Sequence, residues 1–125
     1  MAVSELFACD RCEFDAVLIH ALEWQPIPGG GREPYPGYGL IGGLANRLWC
    51  RGCRAPRDFA FVVLDPPADH AVVAYAEAQR LGCTGTEVGP CPVCGTVLTW
   101  NAENEPCPKC ENGVLRFLGE WEDAV

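Results

Sequence analysis

Cys9-Asp10-Arg11-Cys12, Cys50-Arg51-Gly52-Cys53, Cys91-Pro92-Val93-Cys94 and Cys107-Pro108-Lys109-Cys110 repeat one spacing four times along a chain of 125 residues. Eight of the nine cysteines are used this way. The spacing lets two sulfurs of one tight turn reach the same ion, and two such turns close a tetrahedron of thiolates. Eight ligands therefore make two complete four-sulfur sites, Cys9, Cys12, Cys50, Cys53, Cys91, Cys94, Cys107 and Cys110. Four pairs can be matched in three ways. Sequential pairing joins Cys9/Cys12 to Cys50/Cys53 and Cys91/Cys94 to Cys107/Cys110, and a cross-braced arrangement joins the first pair to the third.

The residues just after each pair decide the expected pairing. Cys12 precedes an apolar run from Phe14 to Trp24, and Cys94 precedes Val97-Leu98-Thr99-Trp100. Cys53 leads into Phe59–Leu64, and Cys110 into Val114–Trp121. These runs are β-prone. In the last, Leu115, Phe117 and Trp121 alternate with Arg116 and Glu120, which predicts a strand with those three on one face. Knuckle, strand, loop, knuckle, strand is the plan of a zinc ribbon, and the chain resembles that class twice over. The expected fold is α+β, mainly β, with two tandem zinc-ribbon modules and sequential pairing. Residues 1–67 form the first module, 68–84 a connecting helix and 85–125 a shorter second module. The helix is predicted over about 69–81, capped by Asp65 or Asp69 with Pro66-Pro67 in its first turn and Gly82 at its end. Val72, Val73, Ala76 and Leu81 are its expected sheet-facing side.

The inner loops differ: 37 residues separate Cys12 from Cys50, and 12 separate Cys94 from Cys107. The longer contains Gln25–Gly43, so rich in Gly and Pro that neither a helix nor a central strand is expected there. A loop of that length in a small domain points to function or disorder.

Net charge is −8. It is uneven, with net −1 over residues 1–64 and net −7 over 65–125. Such acidity disfavours nonspecific nucleic-acid binding. Met1–Leu6 carries no basic segment followed by an apolar stretch, and no run is long enough to span a bilayer, so a cytoplasmic location is expected. A reducing cytoplasm keeps thiols free for metal; a disulfide framework requires secretion and leaves one cysteine over.

Around the second knuckle, Arg47, Arg51, Arg54 and Arg57 form a basic cluster. It reads either as a phosphate-binding patch or as compensation for the −2 charge of a four-thiolate zinc site. Arg32, Tyr35 and Tyr38, in the Gly/Pro loop, join them as candidate partner-binding residues, since Pro-rich segments with aromatics order at low cost. Trp49 borders the same loop. His20 and His70 lack ligand spacing to any cysteine pair, and Cys83 fits a small buried apolar role. No set of residues suggests nucleophilic or acid–base catalysis.

Cys91-Pro-Val-Cys-Gly95 and Cys107-Pro-Lys-Cys110 resemble the knuckles of rubredoxin-like domains, in particular the short domain of rubrerythrins. The resemblance covers about 20 residues and implies iron and single-electron transfer. The expected function is nevertheless a non-enzymatic protein-interaction or adaptor module with two structural zinc ions and a protein partner. The alternatives are a nucleic-acid-associated zinc ribbon contacting its ligand through the Arg47–Arg57 patch, and rubredoxin-like iron electron transfer. Neither a membrane nor a small-molecule substrate is indicated.

Overall fold

The stretch before the first knuckle, Val3-Ser-Glu-Leu-Phe-Ala-Cys9, is the first strand, and it buries Ser4, Phe7 and Cys9. The computed structural model describes residues 3–122. Its elements are β1 (Val3–Cys9), β2 (Asp15–Pro26), β3 (Arg32–Pro34), β4 (Ile41–Cys50), β5 (Ala55–Ala68), α1 (Ala71–Arg80) and β6 (Leu115–Glu122). The strands form one six-stranded sheet in the order β5-β4-β2-β1-β6, with β3 also paired to β2. Every pairing is antiparallel. The mainly β expectation holds. The two tandem modules are not what organises the chain, because β6 from its end pairs with β1 from its beginning.

β1–β2 and β4–β5 are hairpins whose tips carry the first and second knuckles. Both tips lie at the same end of the sheet, since β4 runs antiparallel to β2. The Gly/Pro segment is shorter than the sequence suggested. Gln25 and Pro26 finish β2, and Ile41-Gly42-Gly43 open β4, a central strand. The glycines are there to admit an indole. A Cβ on Gly42 would lie 2.6 Å from Trp24 Cζ3, and one on Gly43 would lie 2.4 Å from Trp24 Cζ2 and 2.0 Å from the Val62 carbonyl oxygen. Trp24 thus lies against bare backbone, and the Arg32 guanidinium sits 4.8 Å from its ring as a cation–π contact.

Helix α1 begins two residues later than expected. Pro66 and Pro67 belong to β5, and the N-cap is His70, with no side-chain cap. Its end matches the sequence. Gly82 takes φ +84°, its N–H donates to Gln79 and the Cys83 N–H donates to Ala78, the two bonds of a Schellman motif. The buried face is also corrected. Ala74 and Ala78 pack with Ile41, Leu44, Val62 and Leu64, whereas Val72, Val73, Ala76 and Leu81 are exposed. Alanine at both contacts lets the short helix approach the sheet closely.

Among the register shifts of the sheet, those in β2 and β6 redirect side chains. In β2 the register against β4 shifts between Ile19 and Leu22, where Ala21 takes φ +56°. Fully buried Asn46 accepts the Ala21 N–H at 2.8 Å and donates to the Glu87 carbonyl at 2.8 Å, and the Tyr75 hydroxyl donates to the Ala21 carbonyl at 2.8 Å. In β6, Phe7 pairs with Phe117 but Leu6 pairs with Gly119. The extra residue reverses the alternation beyond it. Trp121 therefore leaves the face of Leu115 and Phe117, and Glu120 joins that face instead.

Gly43→Ala is expected to destabilise the metal-loaded protein by about 1–3 kcal/mol through overpacking against Trp24. Val63→Ala, at a position 64% exposed, should stay within about 0.5 kcal/mol. Urea unfolding midpoints measured side by side check both.

Candidate metal centres

The sulfurs assemble in a nested pattern. Cys9, Cys12, Cys107 and Cys110 form one group, and Cys50, Cys53, Cys91 and Cys94 form the other, with all sulfurs of a group within 4.8 Å of one another. Sequential pairing is therefore incorrect. The two knuckles that resemble a rubredoxin-like pair, Cys91/Cys94 and Cys107/Cys110, lie in different groups.

Sheet order supplies the reason. The tips at 9–12 and 50–53 belong to neighbouring hairpins, β1–β2 and β5–β4. Adjacent strands are about 4.8 Å apart, so the centres of two such tips are about 10 Å apart, too far for one tetrahedron. Each tip instead meets a knuckle delivered by the C-terminal part of the chain. β6 starts beside Cys9, which pairs with Leu115, and this sets Cys107/Cys110 against Cys9/Cys12. Backbone bonds from Trp49 to Thr99 and back, at 2.9 and 3.0 Å, hold the 91–99 segment beside β4.

Three of the four knuckles share a local geometry. Arg54 donates its N–H to the Cys50 carbonyl at 2.7 Å, Gly95 to Cys91 at 2.9 Å and Glu111 to Cys107 at 3.1 Å. All three residues adopt positive φ. Gly95 does so freely, and Arg54 and Glu111 do so against the side-chain preference. Backbone amides also point at sulfur: Arg11 N–H at Cys9 (3.3 Å), Cys53 N–H at Cys50 (3.2 Å) and Val93 N–H at Cys91 (3.4 Å). Such donors favour thiolate over thiol. Two glycines make room for this. A Cβ on Gly113 would lie 2.5 Å from Cys9 Sγ, and one on Gly52 would lie 2.9 Å from Cys94 Sγ.

The sulfur spacing fits a metal. Cys9–Cys110 and Cys12–Cys107 are 3.6 Å apart, Cys50–Cys94 3.4 Å and Cys53–Cys91 3.8 Å. A tetrahedron with ion–sulfur bonds of about 2.3 Å has edges of about 3.8 Å. Electrostatics also calls for a cation. Burial pushes the Cys50 thiol up to about 12, with the Cys94 and Cys91 sulfurs adding to it. Against a hydrogen bond with the Phe14 backbone, burial and the Cys107, Cys9 and Cys110 sulfurs push Cys12 up to about 12. Hydrogen bonds from the Thr96 side chain and backbone hold Cys94 down to about 6. Four sulfurs so close cannot all ionise unaided, and a bound metal cation would supply the missing charge.

The arginine cluster lies among these sites and is engaged within the molecule. Arg47 forms two bonds with Asp58, its cross-strand partner, at 2.8 and 3.1 Å. Arg51 meets Glu105 at 3.2 Å, and Arg54 meets Glu111 at 3.4 Å and the Cys107 carbonyl at 3.3 Å. Arg51 and Arg54 thus reach from the knuckle of one group to the segment carrying the other. Beside Arg57, the Cys53 sulfur is the chief influence raising its pKa above the usual range. Of the loop candidates, Arg32 covers Trp24, Tyr35 is half-buried against the helix-side core, and Tyr38 is 76% exposed. No site gathers them together. Cys83 is half-buried, packed beside the helix-side core and outside both groups.

Glu105 was not singled out by the sequence. One carboxylate oxygen accepts the Nε1–H of fully buried Trp49 at 3.2 Å, and the other faces Arg51. Its place in a 12-residue inter-knuckle loop gave no signal, because the interaction spans 56 residues. Comparison with protein-family models, curated proteins and solved structures finds no match.

Replacing Cys9, Cys12, Cys107 and Cys110 together by Ser should leave one complete four-sulfur group and half the metal per chain. Replacing Cys91, Cys94, Cys107 and Cys110 together should leave none. Elemental analysis of the purified proteins reads the difference, and sequential pairing would give the reverse. Separately, Glu105→Ala should cost about 1–3 kcal/mol by orphaning the Trp49 N–H, read as a lowered urea midpoint at unchanged metal content.

Proposed function

We propose that this chain is a protein-interaction module whose two four-cysteine groups each hold a structural zinc ion. The observation carrying this reading is closure of the sulfur shells. Each group already offers four ligand atoms within 4.8 Å of one another, and a four-coordinate zinc so held keeps no position for water or substrate. When bound, zinc supplies no redox chemistry there; it fixes geometry and neutralises thiolate charge. The chain's own residues do the rest: backbone amides orient the sulfurs, Thr96 holds Cys94, and Arg51 and Arg54 clamp one group's knuckle to the other group's segment.

An adaptor role agrees with the features the scaffold leaves outside. Among the described residues, no helix is long and apolar enough to cross a membrane. Free thiolates of this kind belong to a reducing compartment, which for this chain we take to be the cytoplasm. Nucleic acid is the weaker partner class. Arg47, Arg51 and Arg54 each face a carboxylate, and a net charge of −8 opposes phosphate. Iron electron transfer is also weaker, since the two rubredoxin-like knuckles do not share a group.

Native purification from the source cell tests the reading. The expected result is about two zinc ions per chain and no thiolate-to-iron absorption in the visible. A protein partner should co-purify, survive nuclease and leave when a chelator strips the metal. A chain that elutes alone, with nucleic acid only, or with coloured iron overturns it.

A further inference from the structure

The β6 bulge sets up an arrangement that neither metal group requires. It turns Glu120 onto the sheet face of Phe7 and Phe117 and places it directly across from Glu5 on β1. Like charges directly opposite in an antiparallel pair repel. Glu5 has a partner, the His20 Nε2 at 2.8 Å. His20 is held by the Gly85 carbonyl at its other nitrogen and by Trp100, stacked at 3.5 Å between centroids and 3° between planes. Glu120 is exposed, and its carboxylate has no hydrogen bond or ion pair among the described residues.

Each carboxylate of this cross-strand pair lines a different depression, Glu120 one and Glu5 the other. On one side a groove of about 830 Å³ opens between α1 and the sheet, walled by Leu44, Phe61, Val72, Tyr75 and Ala76, with Val3, His20 and Glu120 at its end. On the other side a shallower depression of about 570 Å³ is formed by Glu5, Phe7, Trp100, Glu103 and Phe117. Phe117 is 46% exposed and Val72 72% exposed. The combination is apolar wall, carboxylate pair, aromatic wall. Of its carboxylates, Glu5 faces His20 and Glu103 faces Arg116 at 3.7 Å, which leaves Glu120 unmatched, and residues 65–125 as a whole carry net −7.

We propose that this face docks a basic segment of a partner protein, which places a Lys or Arg side chain between Glu5 and Glu120 and an apolar side chain in the groove beside α1. The inference rests on the interaction-module reading and gives it a surface. A cation between the two carboxylates removes their repulsion, and the aromatic rings beside them add cation–π attraction. A second copy of this chain is the poorer occupant, because it would bring the same carboxylates to the same place. The location differs from the Arg47–Arg57 cluster and the Gly/Pro loop that the sequence suggested.

Glu120→Lys tests the assignment without endangering the fold, since Lys opposite Glu5 replaces a repulsive pair by an attractive one. The probes are a short capped peptide alternating lysine and leucine, and the same peptide with glutamate for lysine. They are titrated into the full-length, metal-loaded chain and followed by amide NMR. The lysine peptide should shift amides of Val3, Glu5, His20, Phe117 and Glu120, the glutamate peptide none. Glu120→Lys should weaken binding by roughly tenfold or more while the thermal midpoint holds or rises. Shifts spread over the whole acidic surface, equal binding by Glu120→Lys, or a dimer with this face covered would overturn the proposal. A co-purifying partner that Glu120→Lys retains removes this surface but leaves the interaction reading standing. If no partner co-purifies, the interaction reading falls, and this proposal with it.

Discussion

The antiparallel pairing of β1 with β6 is the constraint on which the remaining arrangement depends. It brings residues from the two ends of the chain into register, Cys9 against Leu115 and Val3 against Glu122. It therefore carries the 107–110 knuckle to the 9–12 tip. Once that group is formed, the 91–94 knuckle is left for the neighbouring tip at 50–53, and the nested pattern results. Topology, rather than any preference of the sulfurs, chooses among the three pairings. The choice has an energetic consequence. Cys12–Cys107 spans 95 residues and Cys53–Cys91 spans 38. Closing the longer loop alone costs about 0.8 kcal/mol more in chain entropy. With the inner group closed, the effective length of the outer loop shrinks, so the two closures support each other. Each ion can supply on the order of 10 kcal/mol of apparent binding energy, which is large beside the three small apolar clusters of this molecule.

The coordinating residue types were fully legible, because Cys-x-x-Cys is a local signal and every turn forms from its own few residues. The pairing was not, because it depends on which strands are neighbours. β1 is hard to see in the sequence, since Val3–Cys9 is short and lacks a strict apolar–polar alternation. Without β1 there is no partner for β6, and similarity between the two halves favours the sequential answer. The same gap hides the role of Glu105, which makes sense only when Trp49 and Arg51 are known to lie beside it.

Side-chain faces were misread wherever the backbone broke its period. Leu115, Phe117 and Trp121 do alternate in the sequence, yet one extra residue against Leu6/Phe7 turns Trp121 away and brings Glu120 in. In α1 the bulky residues looked like the packing face. The sheet accepts Ala74 and Ala78 instead, since the helix is only ten residues long and sits close over Ile41 and Leu44. Gly42 and Gly43 read as loop residues, but they are the flat bed of Trp24 in a central strand. In each case the local propensity was real and a tertiary contact outweighed it.

The bulges in β2 and β6 connect the scaffold to its surface. That at Ala21 is tied down by a buried Asn46, by Tyr75 from α1 and, through Asn46, by the 83–87 segment. That at Leu118–Gly119 has no comparable support from buried polar groups among the described residues, and it leaves Glu120 unpaired against Glu5. A regular β6 would have kept Trp121 on the Phe117 face, covering apolar surface, and turned Glu120 away. The observed register exposes a carboxylate pair between two apolar depressions at some cost to sheet stability. The metal groups already fix where β6 begins, so the strand can carry that cost at its far end without loosening the sulfur sites. The sulfur groups tie down the knuckle end of the sheet, and the cluster of Ile41, Leu44, Val62 and Leu64 under α1 packs toward the other end of β4 and β5. At that other end the β1–β6 margin, where Val3 pairs with Glu122, lies outside both the sulfur groups and the helix-side cluster.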